Sequence, residues 1–384
     1  MILHELLDYP TLRLIWWGLL GVLLIGFALT DGYDLGVGAV LPFVARTDVE
    51  RRMVINTIGP NWEGHQVWFI LGGGALFAAW PFVYAVSFSG FYLAMFVVLA
   101  ALILRPVGFK YRSKRNDPAW RTRWDWALFV GGLVPALVFG VAVGNVLGGV
   151  PFRLDSDLRV HYLGSFWELF HPFALLCGVL SVAMLVLHGC NWLALKVERG
   201  PVHRRARSIA VVAGCCSLLL FVLGGAWVAW GGIGFRLEGL PITDEASNPL
   251  RSSAVQAAGA WLRNYALAPA CLIAPASGIV GVLLALIGIL GRRESLAFAG
   301  SSLSCAGIIA TVGVSMFPFI LPSSIDAHSS LTVWNASSSA RTLRIMLLAT
   351  VVFLPVVLAY TAWALRVMRG RVTSLHVETR PDLY

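Results

Sequence analysis

Residues 12–37 read LRLIWWGLLGVLLIGFALTDGYDLGV. Only Arg13, Asp31 and Asp34 in this stretch carry charge. A helix needs roughly 20 apolar residues to cross a bilayer, and this run exceeds that. It is too long and too continuously apolar for a strand, and it lacks the period-two alternation of a membrane barrel. Eight more runs of the same character follow, at about 62–80, 82–105, 125–147, 170–194, 208–231, 266–290, 296–320 and 343–366. Of the 384 residues 58% are hydrophobic and 13% charged, against about 25% charged in a soluble domain. The mean hydropathy is +0.77. The sequence therefore predicts an all-α integral membrane protein of about nine transmembrane helices. Residues 1–384 read as a single polytopic domain, without an inserted soluble domain.

The charges set an expected orientation. A net charge of +9 on a soluble protein would raise nucleic acid as a partner. Here the basic residues fall in short loops between apolar runs and report sidedness instead. Arg46, Arg51 and Arg52 share a side with Arg105, Lys110, Arg112, Lys114, Arg115, Arg121 and Arg123. Lys196, Arg199, Arg204, Arg205, Arg207, Arg292, Arg293, Arg366, Arg369, Arg371 and Arg380 complete that side, which takes 21 of the 29 Lys and Arg. The positive-inside rule then places the N-terminus in the periplasm and the C-terminus in the cytoplasm. Met1 to Pro10 carries Glu5 and Asp8 but no Lys or Arg, unlike a secretory signal, so the first run is expected to be retained. The long loops 151–172 and 231–265 fall outside. Asn248-Pro249 suits a helix N-cap and first turn and predicts a short surface helix.

Ionisable side chains inside a membrane run are costly and point to function. Asp31 and Asp34, three apart, share one face of the first helix. Glu63 and His65 open the second run, in Trp62-Glu63-Gly64-His65-Gln66-Val67-Trp68. All four fall toward the cytoplasmic side, and chains of Asp, Glu and His carry protons in membrane proteins. The competing reading has Asp31 and Asp34 capping helix ends or pairing with Arg51 or Arg52. His188 lies within the fifth run, where a hydrogen-bonded core histidine is the default over a haem ligand. Asn145, Asn191 and Asn335 read as hydrogen-bonding residues between helices. Trp68 sits inside the second run, either as packing or as the wall of a gas or water route. Gly72-Gly73-Gly74 reads as close helix packing. The six cysteines show no metal-ligand spacing, and no nucleotide or nucleophile motif is present.

Several stretches together resemble subunit II of the cytochrome bd-type quinol oxidases. These are Trp16-Trp17, residues 27–38, Glu50-Arg51-Arg52, residues 62–68, Ala78-Ala79-Trp80-Pro81, residues 105–112, Met316-Phe317-Pro318 and residues 330–335. The resemblance runs in order along nearly the whole chain. It implies two four-helix bundles plus one peripheral helix in the bacterial inner membrane. It also implies pairing with a similarly folded subunit I, which holds haem b and haem d and the quinol site. The complex would oxidise quinol and reduce dioxygen to water. Subunit II would supply no haem ligand and no metal site, would help shape proton and dioxygen routes, and would bind a structural quinone. The resemblance leaves room for a small single-helix accessory subunit. Glu63 falls on the family's acid in a cytoplasmic proton path, where related chains can have Asp. Trp68 falls near the proposed dioxygen route, and Asp31 and Asp34 match the acidic pair of the first helix. Asn335 stands where some members carry Asp.

Two other classes stay open on residues alone. A secondary transporter for a small solute or ion would need paired, Gly/Pro-broken helices in two halves, and no convincing pair is visible. A membrane scaffold has no use for carboxyls clustered in the first two runs.

Overall fold

The computed structural model describes residues 7–239 and 241–379; Glu5 and Arg380, both counted in the charge pattern, lie outside them. The long helices are α1 Tyr9–Val44, α3 Trp62–Ala79, α5 Tyr92–Tyr111, α6 Pro118–Gly148, α7 Pro172–Lys196 and α8 Pro201–Trp230. They continue with α10 Ile273–Leu290, α11 Glu294–Met316 and α12 Ala340–Val367. Short helices are α2 Asp48–Asn56, α4 Pro81–Gly90, α9 Arg263–Leu267 and α13 Ser374–Thr379. Among the described residues, eight helices are long and apolar enough to cross a membrane; α3, with 18 residues, is not one of them. Its Glu63, His65 and Gln66 lower the hydropathy of an otherwise spanning length.

Local chemistry sets the helix starts. Asp8 accepts from the Thr11 N–H and caps α1. Proline occupies the first turn of α1, α4, α6, α7 and α8, where its missing N–H costs nothing and its φ is already helical. Pro81 also corrects the predicted run at 82–105. It drives Trp80 out of helical geometry (φ −136, ψ 75), as expected for a residue before proline. A separate ten-residue helix, α4, then runs to Gly90. The spanning helix begins only at Tyr92 and continues to Tyr111. Helix α1 is also longer than its apolar run, so Asp31 and Asp34 lie well within it rather than at an end.

Helices α1, α3, α5 and α6 form one four-helix bundle, and α7, α8, α10 and α11 a second. They meet where α7 packs on α1 and α6. Glycines allow that contact: a Cβ on Gly36 would lie 1.9 Å from the Leu185 carbonyl oxygen, and one on Gly189 2.6 Å from Gly36. The peripheral helix is α12, which touches α1 and α3 and buries none of its most apolar stretch. The long helices alternate between two ends. One end carries the antiparallel pairs β1 Phe152–Leu154 with β2 Val160–Tyr162, β3 Phe235–Glu238 with β4 Ser253–Gln256, and β5 Phe319–Leu321 with β6 Leu331–Thr332. There the buried Arg13 donates to Thr243 O, Glu245 O, Ser247 Oγ and Ser337 Oγ, fastening two loops to the start of α1. The predicted surface helix after Asn248 is instead a 3-10 turn, Pro249–Arg251, capped by the Asn248 side chain and followed by β4.

The opposite, basic end is tied by Arg205 to Val44 O and Glu50 and by Arg207 to Ile289 O. Lys196 joins Met368 O there. Asn145 and Asn191 make the expected bonds between elements, to Leu169 O and Ala297 O. Asn335 instead organises a loop, bonding Thr332, Pro249 O and Ser252. Gly72, Gly73 and Gly74 do not mark close packing in this chain: a Cβ on any of them would meet nothing within 4 Å.

Candidate functional site

The i, i+3 spacing puts Asp31 and Asp34 on one face of α1, and that face meets α5 and α3. Arg105 of α5 grips Asp31 with both terminal nitrogens, at 3.0 Å (Nη1–Oδ2) and 2.8 Å (Nη2–Oδ1). Its Nη2 is also 3.7 Å from Asp34 Oδ2. The same Oδ2 lies 2.7 Å from His65 Nδ1, and His65 Nε2 is 3.2 Å from the Tyr33 hydroxyl. Asp31, Asp34, Tyr33, His65 and Arg105 are all buried. Tyr33 stacks on Trp192 of α7 at 4.2 Å between centroids, and the Trp192 indole N–H donates to Thr57 O. Two carboxylates against one guanidinium leave one negative charge in excess. Burying an unmatched charge is costly, and a proton shared by Asp34 and His65 cancels it. Such an arrangement can hold one proton between an oxygen and a nitrogen 2.7 Å apart.

The structure brings together three of the four predicted proton residues. Glu63 stays apart: its side chain is 70% exposed at the basic end, 3.9 Å from Lys110 Nζ. The competing pairing of Asp31 and Asp34 with Arg51 or Arg52 is not what forms. Arg51 joins Asp125 at 2.7 Å, and Arg112 donates to Asp125 at 2.5 Å. Asp48 binds Arg112 and Arg121 beside them. Trp68 is buried, with its indole seated over Gly26, where a Cβ would come within 2.6 Å of the ring. Phe27, Phe69 and Phe139 form an aromatic group nearby on the same helices and α6. Sequence reasoning passed over Arg105 and Tyr33. Arg105 reads as a loop charge, but it ends an apolar run that starts at Tyr92, which was the available signal.

Comparison with known proteins agrees with this architecture. Residues 12–368 match the family described as cytochrome bd terminal oxidase subunit II. The chain belongs to that family. It is 49% identical over 373 residues to the cytochrome bd-I ubiquinol oxidase subunit 2 of Escherichia coli K12, covering 97% of this chain and 98% of that one. It is 31% identical over 363 residues to the cytochrome bd ubiquinol oxidase subunit 2 of Bacillus subtilis, covering 94% and 96%. A chain of the bd oxidase structure from Geobacillus thermodenitrificans shares the fold, with a TM-score of 0.68 at 15% identity over 93% of this chain and 98% of that one. The chain is thus one subunit of a membrane-bound oxidoreductase complex that contains haem and a subunit I.

His188 and His65, buried in α7 and α3 of this bd-oxidase subunit, have both ring nitrogens engaged and do not fit haem ligation. His188 has Nδ1 at 2.9 Å from Ser301 Oγ and Nε2 at 3.2 Å from Leu29 O. Both nitrogens of His65 are engaged, and His203 Nε2 meets Glu294 at 3.3 Å. An axial ligand needs a free ring nitrogen aimed at iron. At the hairpin end, a cavity of about 320 Å³ is lined mainly by apolar groups, including Phe173, Trp227 and Ile233, with Asn145, Tyr162, Glu168 and His171 as its polar members. Burial lowers the His171 pKa and raises that of Tyr162, so both are held neutral near pH 7.

Proposed function

We propose that this chain carries protons to the dioxygen-reducing centre of a quinol oxidase whose haem b and haem d belong to subunit I. The single observation that supports this reading is the buried Asp34–His65–Tyr33 chain with its excess negative charge beside Arg105. In this reading the basic end and the C-terminus face the cytoplasm and the hairpin end and the N-terminus face the periplasm, as the positive-inside rule requires. Glu63, exposed beside Lys110, collects protons at the cytoplasmic surface. Asp31 is paired with Arg105 through two hydrogen bonds and anchors the guanidinium, while Asp34 and His65 hold and exchange the proton. Protons drawn from the cytoplasm to reduce dioxygen make the reaction electrogenic without a pump.

Two further roles belong to this proposal. The aromatic layer of Phe27, Trp68, Phe69 and Phe139 is apolar and suits passage of dioxygen. The cavity near His171, mostly apolar with a few polar groups, has the character of a small-ligand site and suits a structural quinone ring. Quinol, lipid and a single-helix accessory subunit complete the expected partners. The test is a reduced-minus-oxidised spectrum of the complex purified through a tag on this chain. Haem b and d bands with a second large subunit support the proposal. A colourless single polypeptide would turn the reading toward a small-solute transporter.

A further inference from the structure

Asp34 uses only one of its two oxygens. Oδ2 faces His65 and Arg105, while Oδ1 is buried and has no hydrogen-bond donor among the described residues. A buried carboxylate oxygen without a donor bears its full desolvation cost, so something besides these side chains is expected to satisfy it. Against Asp34 lies a cavity of about 10 Å³, walled by Val37, Leu41, Ile58, Arg105, Phe109 and Leu128. That is about the space one water molecule needs. Two charged groups, Asp34 and Arg105, border it, which gives a water both an acceptor and a donor. The remaining walls lead away from the site toward the basic end. Leu41 is about 10 Å further along α1 at the helical rise, Ile58 lies in the turn before α3, and Phe109 is near the end of α5.

We propose that this cavity holds an ordered water that donates to Asp34 Oδ1 and is the entry by which protons from the basic end reach the Asp34–His65 pair. This rests on the proton-carrying reading above. A proton arriving on the water passes to Oδ1 while the proton already shared at Oδ2 moves to His65 Nδ1, 2.7 Å away, leaving neutral water, a neutral carboxyl and an imidazolium. No heavy-atom bond changes and no electron moves. Entry at Oδ1 leaves Oδ2 free to keep its contact with the imidazole throughout, so uptake and hand-over use different oxygens.

The test uses the purified complex. A structure at a resolution that shows ordered waters is expected to have density within about 3.2 Å of Asp34 Oδ1. Leu41→Phe and Ile58→Phe, filling the cavity from two walls, are expected to remove that density. Each should lower oxygen turnover per haem by about tenfold or more and enlarge the solvent deuterium effect, at unchanged haem content. Absence of density in the unmodified complex overturns the proposal. So does loss of density in a variant that keeps normal turnover. Asp34→Asn separates the two readings. If it slows turnover while both filling variants do not, the relay stands and the entry is wrong. If none of the three slows turnover, both fall.

Discussion

Arg105→Met should destabilise the protein more than any surface change, because it strands two carboxylates in the membrane interior. Arg105 makes two hydrogen bonds to Asp31 and lies 3.7 Å from Asp34. At that separation each charge pair is worth about 4 kcal/mol at an effective dielectric constant of about 20. Desolvation of all three groups offsets much of it. Measured losses for breaking one side of a buried pair are about 3–5 kcal/mol. At about 2 °C per kcal/mol for a large chain, the midpoint should fall by about 6–10 °C. The assay is thermal unfolding of the complex in detergent, followed by tryptophan fluorescence. Adding Asp31→Leu should recover at least about half the loss, since replacing a whole buried pair by apolar groups is often neutral, and Asp34 keeps His65 as partner. A drop of less than about 2 °C for Arg105→Met, or a deeper drop in the double variant, would refute the reasoning.

Other outcomes follow from the same geometry. Gly36→Ala puts a methyl 1.9 Å from the Leu185 carbonyl oxygen and should abolish recovery of assembled complex; Gly225→Ala, which meets nothing within 4 Å, should not. Glu50 is partly buried, which favours its neutral form. The Arg205 hydrogen bond and the Arg46 and Thr47 N–H groups outweigh this and hold its pKa below the usual carboxylate range. Its stabilisation is therefore present above the unfolded value of about 4.3 and lost as pH falls through the lower folded value. The melting difference between Glu50→Gln and the parent protein should shrink on acidification below about pH 4. Glu63→Gln should slow turnover with haem content intact; normal turnover in that variant would remove Glu63 from the proton path.

The spans were legible because lipid imposes long apolar runs whatever the packing. The break at Trp80-Pro81 was harder, because both sides of it are apolar and hydropathy averages across the kink. The three hairpin pairs escaped because strands of two to four residues leave almost no periodic signal. Gly72–Gly74 misled because glycine occurs both at close helix contacts and at positions where an added methyl would meet no neighbour, as here. Asp31, Asp34 and His65 were legible as charges in the wrong solvent. Their arrangement was not, since it depends on Arg105, more than 70 residues along the chain from Asp31, arriving on another helix. Glu63 shared the motif but not the site, because its neighbour two positions on points inward and it points out.

The most direct test of the account is oxygen consumption per haem, with proton uptake followed in parallel, in complexes carrying Asp34→Asn or His65→Ala. Both variants should bind haem at the level of the unmodified complex and turn over at least about tenfold more slowly. Full turnover with normal proton uptake in both would contradict the claim that this chain carries protons for the reaction.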